Sequence, residues 1–205
     1  AMVVDWPSSP SSGESSGLRV LRELFEDVRA YRAARNADAG AQPFDIRLDA
    51  MLPVIAGDVP VMALANRAFE IQAAVSFAVE QKIRLIIFGG HDAEVCAALL
   101  KKHDVPVIID STHRKPSRRH EPYDVAYTLP ARLSKAGVQF CISGSDRNAT
   151  WNARNLPYHA ATAAAHGLRR GEALRSVTLY PAQILGIADR VGSLEPGKDA
   201  TLIVT

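Results

Sequence analysis

Hydrophobic positions along the chain follow two rhythms. Leu18, Leu21, Leu24, Phe25, Val28 and Tyr31 recur at steps of three and four, with Arg, Glu and Asp between them. That spacing predicts an amphipathic helix ending near Gly40. Leu48, Leu52 and Ile55 mark a second helix over residues 45–55, with Pro53 in its last turn. From residue 59 the pattern alternates. Short apolar runs at 59–64, 84–88, 105–110 and 138–143 predict strands, and the stretches at 67–81, 91–103 and 129–136 predict helices. Most of these strands are apolar on both faces, as a parallel sheet covered by helices requires. Repeated β-then-α units imply right-handed crossovers and an α/β fold.

The ends differ from this middle. Residues 1–17 are rich in Ser and Pro and read as a flexible N-terminal segment, with Val3-Val4 as the only stub of a strand. A long polar loop covers 111–124. Past residue 146, helices are expected over 155–167 and 170–178, with a further turn at 181–185. Short strands are expected over 190–205 around turns at Gly192 and at 195–198, the start of a C-terminal β segment. The unit between, 18–189, carries the β/α alternation.

Composition narrows the classes. The chain has 205 residues, 47% apolar and 22% charged, as in ordinary globular proteins. A complete eightfold β/α barrel typically needs about 250 residues, so a complete one with an accessory domain is not expected. With 24 basic and 22 acidic residues, the net charge of +2 gives no argument for nucleic acid or an anionic membrane. Cys96 and Cys141 do not make a disulfide framework, and their spacing is not that of a zinc site. No run approaches the roughly 18 apolar residues of a membrane helix, and no basic-then-apolar leader is visible, so the cytoplasm is the expected compartment.

Chemistry-bearing residues gather after the strands. Asp146 follows the strand at 138–143, where a carboxylate is either a functional group at the strand end or the N-cap of the next helix. His91 follows Gly89-Gly90, and an imidazole there either binds a metal or sits solvated in a first helical turn. The run from His113 and Arg114 to His120 meets an anionic substrate or is an exposed loop. His159 and His166 lie on one helical face, where packing is the ordinary role, and Cys141 reads as a small buried residue.

The C-terminal third carries a longer signature. Gly171-Glu-Ala-Leu174, Val177-Thr178, Pro181-Ala182, Ile184-Leu-Gly186 and the run from Asp189 through Gly192-Ser-Leu-Glu-Pro-Gly-Lys198 to Val204 closely resemble the end of metal-dependent amidohydrolases. The nearest subgroup is the imidazolonepropionase-like enzymes. The resemblance implies a partial (β/α) TIM-type barrel, with the strands at 59, 84, 105 and 138 as its fifth to eighth. It implies hydrolysis of carbon–nitrogen bonds in small amides or cyclic amides, with a divalent metal, zinc foremost, held by His91 and Asp146, and Asp146 as the base. No His-x-His pair, the metal pair of the family's first strand, occurs in the chain, and Leu64 stands where the fifth strand commonly carries a His. Asn66 and Arg67 follow it and, with His113 and Arg114, are the expected substrate-binding groups. The implied partners are a small-molecule substrate and either a second copy of the chain or a missing N-terminal barrel half. The alternative function is a catalytically inactive or truncated relative serving as an assembly or ligand-binding module, in which no metal is bound. A flavodoxin-like nucleotide binder on four parallel strands is a third, weaker reading.

Overall fold

A computed structural model describes residues 1–7, 15–37, 43–145 and 149–202. Five parallel strands run in spatial order identical to their chain order: β1 (Met2–Asp5), β2 (Val61–Ala65), β3 (Leu85–Gly89), β4 (Val107–Ile109) and β5 (Phe140–Ile142). The helices are α1 (Ser16–Ala37) and α2 (Ile46–Ala56) before β2, α3 (Ala68–Gln81) before β3, α4 (Ala97–Lys102) before β4 and α5 (Val125–Ala136) before β5. α6 (Ala149–Asn152), α7 (Leu156–Ala165), α8 (Arg170–Arg175) and α9 (Leu179–Leu185) follow. A doubly wound sheet reverses its strand order at a switch point, and this one does not. The sequential order is that of an arc of a β/α barrel and rules out the flavodoxin-like reading.

The strands are built from β-branched and large apolar residues that fit a pleated, buried surface. Val61, Ala63, Leu85, Ile87, Val107, Ile109, Phe140 and Ile142 point to one side and join Phe25, Val28, Ile71, Leu129 and Leu133 in the main core. Ile86, Ile108 and Cys141 point to the other side, with Met62 and Phe88, and meet Ile184 and Tyr180 of α9. So α9 covers part of the inner face. Helix α1 lies on the outer side instead, where Arg22 pairs with Glu80 and Arg29 bonds Gln81 of α3.

Several expectations change in detail. Val3-Val4 belongs to a real strand, since Met2 through Asp5 pair with Val61 through Leu64. The strand predicted at 59–64 is therefore interior to the sheet, between β1 and β3. The N-terminal segment 1–17 is anchored at its start: Trp6 is buried and meets Phe77 edge-on with ring centroids 5.6 Å apart. Residues 91–96 form successive turns, and the helix begins only at Ala97. Among the described residues, 190–202 hold turns but no strand. There Lys198 N–H donates to the Glu195 carbonyl, and Arg190 pairs with Asp199 at 2.8 Å.

Candidate active site

All strands are parallel, so their C-terminal ends share one edge, the edge on which β/α barrels place their chemistry. β2 leads into Asn66 and Arg67. Their backbone N–H groups donate to the Glu70 carboxylate at 2.8 and 2.9 Å. β3 leads into Gly89 and Gly90, both left-handed, with φ of 97° and 60°. A Cβ at Gly89 would collide with the Asn66 amide, and one at Gly90 would lie 2.6 Å from Val107 Cγ1. Only glycine lets this turn pass so close to its neighbours. The turn delivers His91, whose Nε2 lies 3.0 and 3.2 Å from the two carboxylate oxygens of Asp110, just past β4. The Ser111 N–H donates to Asp110 Oδ1 at 2.7 Å and fixes that carboxylate.

The next residue, Asp92, ties the rim together. Its Oδ2 accepts the Ala68 N–H at 3.1 Å and Arg118 Nη2 at 2.6 Å, and its Oδ1 accepts from Arg118 Nη1 at 3.1 Å. Glu121 accepts from Arg118 Nη1 at 3.3 Å and from the Ser117 N–H at 2.7 Å. The polar loop 111–124 is thereby folded over the ends of β2 and β3. Between loop and strands lies a cleft of about 240 Å³, lined by Asn66, Arg67, His91, Asp92, Arg118 and Glu121. Burial pushes the Asp92 carboxyl up, but the Arg118 guanidinium and the Ala68 N–H outweigh it and hold it below the usual carboxylate range. Glu121 is likewise pushed up by burial and brought below its ordinary value by the N–H groups of Ser117 and Arg118 and by the nearby arginines. Burial acts against the charge of Arg114, which sits in the field of Asp110, Glu121 and Asp92.

Beside the cleft, His159 of α7 is buried. Its Nδ1 faces the Thr112 N–H at 3.3 Å and Thr112 Oγ1 at 3.0 Å. A backbone N–H can only donate, so Nδ1 is the acceptor nitrogen of this ring. His113 stacks on His159 at 4.2 Å and bonds Thr162 through Nε2 at 2.8 Å. His113 is thus held against α7 and is not among the residues that line the cleft.

Of the expected residues, the structure brings Asn66, Arg67 and His91 to one cleft, with Arg114 within electrostatic reach of its carboxylates. Asp146 lies outside the described residues. Leu64 is on β2, paired with Asp5 and Phe88. Sequence reasoning missed Asp92, Asp110 and Glu121, and did not single out Arg118 within the run from His113 to His120. Asp110 carried a usable signal, a carboxylate ending a predicted strand. Arg118 lay in a cationic run whose members look alike without the fold. The residues also test the implied metal. Among the described residues no three His, Cys, Asp or Glu side chains come together, and a zinc site needs three protein ligands. His91 is already turned to Asp110. The described residues therefore do not fit a complete metal site. A larger cavity, about 440 Å³ and lined in part by Lys82, Arg84, His103 and Gln139, lies at the opposite end of the strands, away from these groups.

The model of the amidohydrolase family matches residues 84–205. Among solved structures, an amidohydrolase from Thermotoga maritima MSB8 is 27% identical with a TM-score of 0.76, over 88% of this chain and 48% of that one. The chain thus spans about half the length of the Thermotoga protein. A Xaa-Pro dipeptidase with bound methionine in its active site is 17% identical with a TM-score of 0.51, over 69% of this chain and 37% of that one, a likeness of fold alone. No curated protein matches the chain. Among the described residues, no helix is long and apolar enough to cross a membrane.

Proposed function

The chain belongs to the amidohydrolase family, and we propose that its C-terminal strand edge forms one side of a site where a carbon–nitrogen bond of a small amide or cyclic amide is hydrolysed. The observation that carries this reading is the His91–Asp110 pair, 3.0 Å apart, at the mouth of the rim cleft. With Nε2–H donating to the carboxylate, Nδ1 becomes the ring's acceptor and can take a proton from an attacking water. Asp110 orients the ring. Asn66, Arg67 and Arg114 are the proposed substrate-binding groups, and Asp146, three residues past Ser143, is the proposed further base. A divalent metal would supply Lewis acidity to such a reaction. The described residues do not complete a site for one, so no step is assigned to it. The imidazolonepropionase-like subgroup puts cyclic amides among the substrates to test.

A second reading rests on Leu64 and on the missing third ligand: a catalytically inactive relative that binds a small molecule or assembles. Assembly has its own motive. Val3 is exposed and Met62, Leu64 and Phe88 are only partly buried on the inner face, and β1 and β5 are open edges of the sheet. Another copy, or the other half of a barrel, is the proposed cover. The reducing cytoplasm is the proposed compartment, since Cys96 and Cys141 are free thiols.

The test is a panel of N-acyl amino acids and cyclic amides offered to the full chain, with and without added zinc. Saturable binding of a panel member, weakened at least ten-fold in His91→Ala, is expected. Turnover that disappears in the same variant supports the hydrolase. Binding without turnover at any zinc concentration supports the second reading. No binding contradicts both.

A further inference from the structure

At the edge of the sheet opposite the rim, four helix-to-strand turns repeat one design. A left-handed residue follows the helix, and the next N–H donates to the carbonyl five residues back: Asp58 to Pro53, Ile83 to Ala78, Val105 to Leu100 and Val138 to Leu133. Gly57 and Gly137 take the left-handed place in the first and last turns, with φ of 85° and 73°. The two middle turns hold Lys82 at 54° and Asp104 at 50°, the only non-glycine residues of positive φ among those described. Glycine adopts this conformation freely, whereas a Cβ strains it. The chain thus keeps two charged side chains where the turn itself favours glycine. Strain of this kind gathers at ligand sites, and Lys82 and Asp104 line one and the same cavity.

That cavity, about 440 Å³, lies under the N-terminal ends of β2 to β5 and falls in the roughly 300–1,000 Å³ range of small-molecule sites. The buried part of its lining is apolar and includes Val75, Ile86 and Ile184. The exposed part is polar and changes character from strand to strand. Lys82 and Arg84 stand before β3, Asp104 before β4, and Gln139 before β5 with Gln183 of α9 beside it. Arg84 makes a single long bond, 3.5 Å, to the Gly57 carbonyl. Two cations side by side suit a phosphate. A carboxylate asks for a hydroxyl or amine donor on the ligand, and each side-chain amide offers both a donor and an acceptor, as the edge of a nucleobase does. The order from β3 to β5 spans two strand spacings of about 4.8 Å each, a reach that one extended mononucleotide covers. We infer that this cavity is a second ligand site, for a nucleoside monophosphate, with the phosphate on Lys82 and Arg84, a ribose hydroxyl on Asp104, and the base between the two glutamines and the apolar floor. The site is separate from the rim and does not depend on the reading of the rim.

The test titrates the full chain by calorimetry with the 5′-monophosphates of adenosine, guanosine, cytidine and uridine, with the four nucleosides and with inorganic phosphate. At least one monophosphate is expected to bind saturably, ten-fold or more tightly than its nucleoside and than phosphate alone. Lys82→Gly and Asp104→Gly are the informative variants, because glycine suits the left-handed turn. Each is expected to weaken the nucleotide at least ten-fold while its melting temperature, followed by circular dichroism, stays level or rises. Loss of binding without loss of stability separates a ligand role from a structural one. Arg84→Gln, outside the left-handed positions, is expected to weaken the nucleotide as well. No saturation by any of the four monophosphates up to millimolar concentration would overturn the inference. So would phosphate or a nucleoside binding as tightly as the nucleotide, or full affinity in Lys82→Gly. Amide shift mapping with the tightest monophosphate places the site: shifts at Lys82, Arg84, Asp104 and Gln139 are expected, and shifts confined to Asn66, Arg67 and residues 89–92 would equally overturn it.

Discussion

His91 Nε2 and the Asp110 carboxylate meet at 3.0 Å although the residues come from the ends of two different strands, β3 and β4. The parallel register of Ile87 with Val107 and Phe88 with Ile108 sets that meeting. Replacing Asp110 by Ala removes the ring's partner and also the acceptor of the Ser111 N–H. A loss of about 1–2 kcal/mol in denaturant stability is expected, together with weaker binding of small amides. Urea titration and calorimetry check the two effects separately. Wild-type binding in the variant would remove the pair from the site.

The aromatic cluster on the outer layer holds the N-terminal strand. Trp6 and Phe25 both pack edge-on against Phe77, with ring centroids 5.6 and 5.4 Å away. Phe77→Ala should cost about 3–5 kcal/mol. It should also raise hydrogen exchange in residues 2–5 more than in β3 or β4. A uniform rise across the sheet would show that β1 does not depend on this contact.

Acid should release the loop over the cleft before it unfolds the sheet. Asp92 and Glu121 have carboxyls held below their ordinary values, so the stability they contribute is present above those ordinary values and is lost as pH falls through the lowered ones. The bridge from Arg118 to Asp92 should therefore survive at pH 5 and fail below about pH 3.8, the ordinary carboxyl value of Asp. Limited proteolysis across 111–124 as a function of pH reads this directly. Asp92→Asn should make the loop cleavable at neutral pH.

The thiols should be inert. Burial pushes Cys141 up to about 12, leaving almost no thiolate at pH 8. Burial, then the nearby Asp92, also raises Cys96. Native protein is expected to react with a disulfide reagent only as fast as it opens, with both thiols titrating at once in denaturant.

Much of the fold was legible in local pattern. The runs at 84–88 and 105–110 and the amphipathic stretch at 67–81 announce themselves, because burial on both faces of a strand, or one face of a helix, leaves a period in the sequence. β1 was faint because four residues in a Ser- and Pro-rich lead become a strand only when β2 is there to pair with them. The turns at 91–96 were read as helix because the Ala and Leu content of 91–103 is helical while the left-handed Gly90 delays its start. At the site, position after a strand pointed to His91, Asn66 and Arg67. The pairing of Arg118 with Asp92, 26 residues apart, depends on the path of a loop that no periodicity encodes. The position of His113 is hidden for the same reason: its partner, Thr162, is 49 residues away on α7.

The claim at the centre of this account is that the small-amide ligand binds at the C-terminal ends of the strands and not in the larger cavity at their other end. Amide chemical-shift mapping during titration with N-acetylglycine tests it most directly. The account predicts shifts concentrated at Asn66, Arg67, residues 89–92 and residues 110–121. Shifts concentrated instead at Lys82, Arg84, His103 and Gln139 would contradict it.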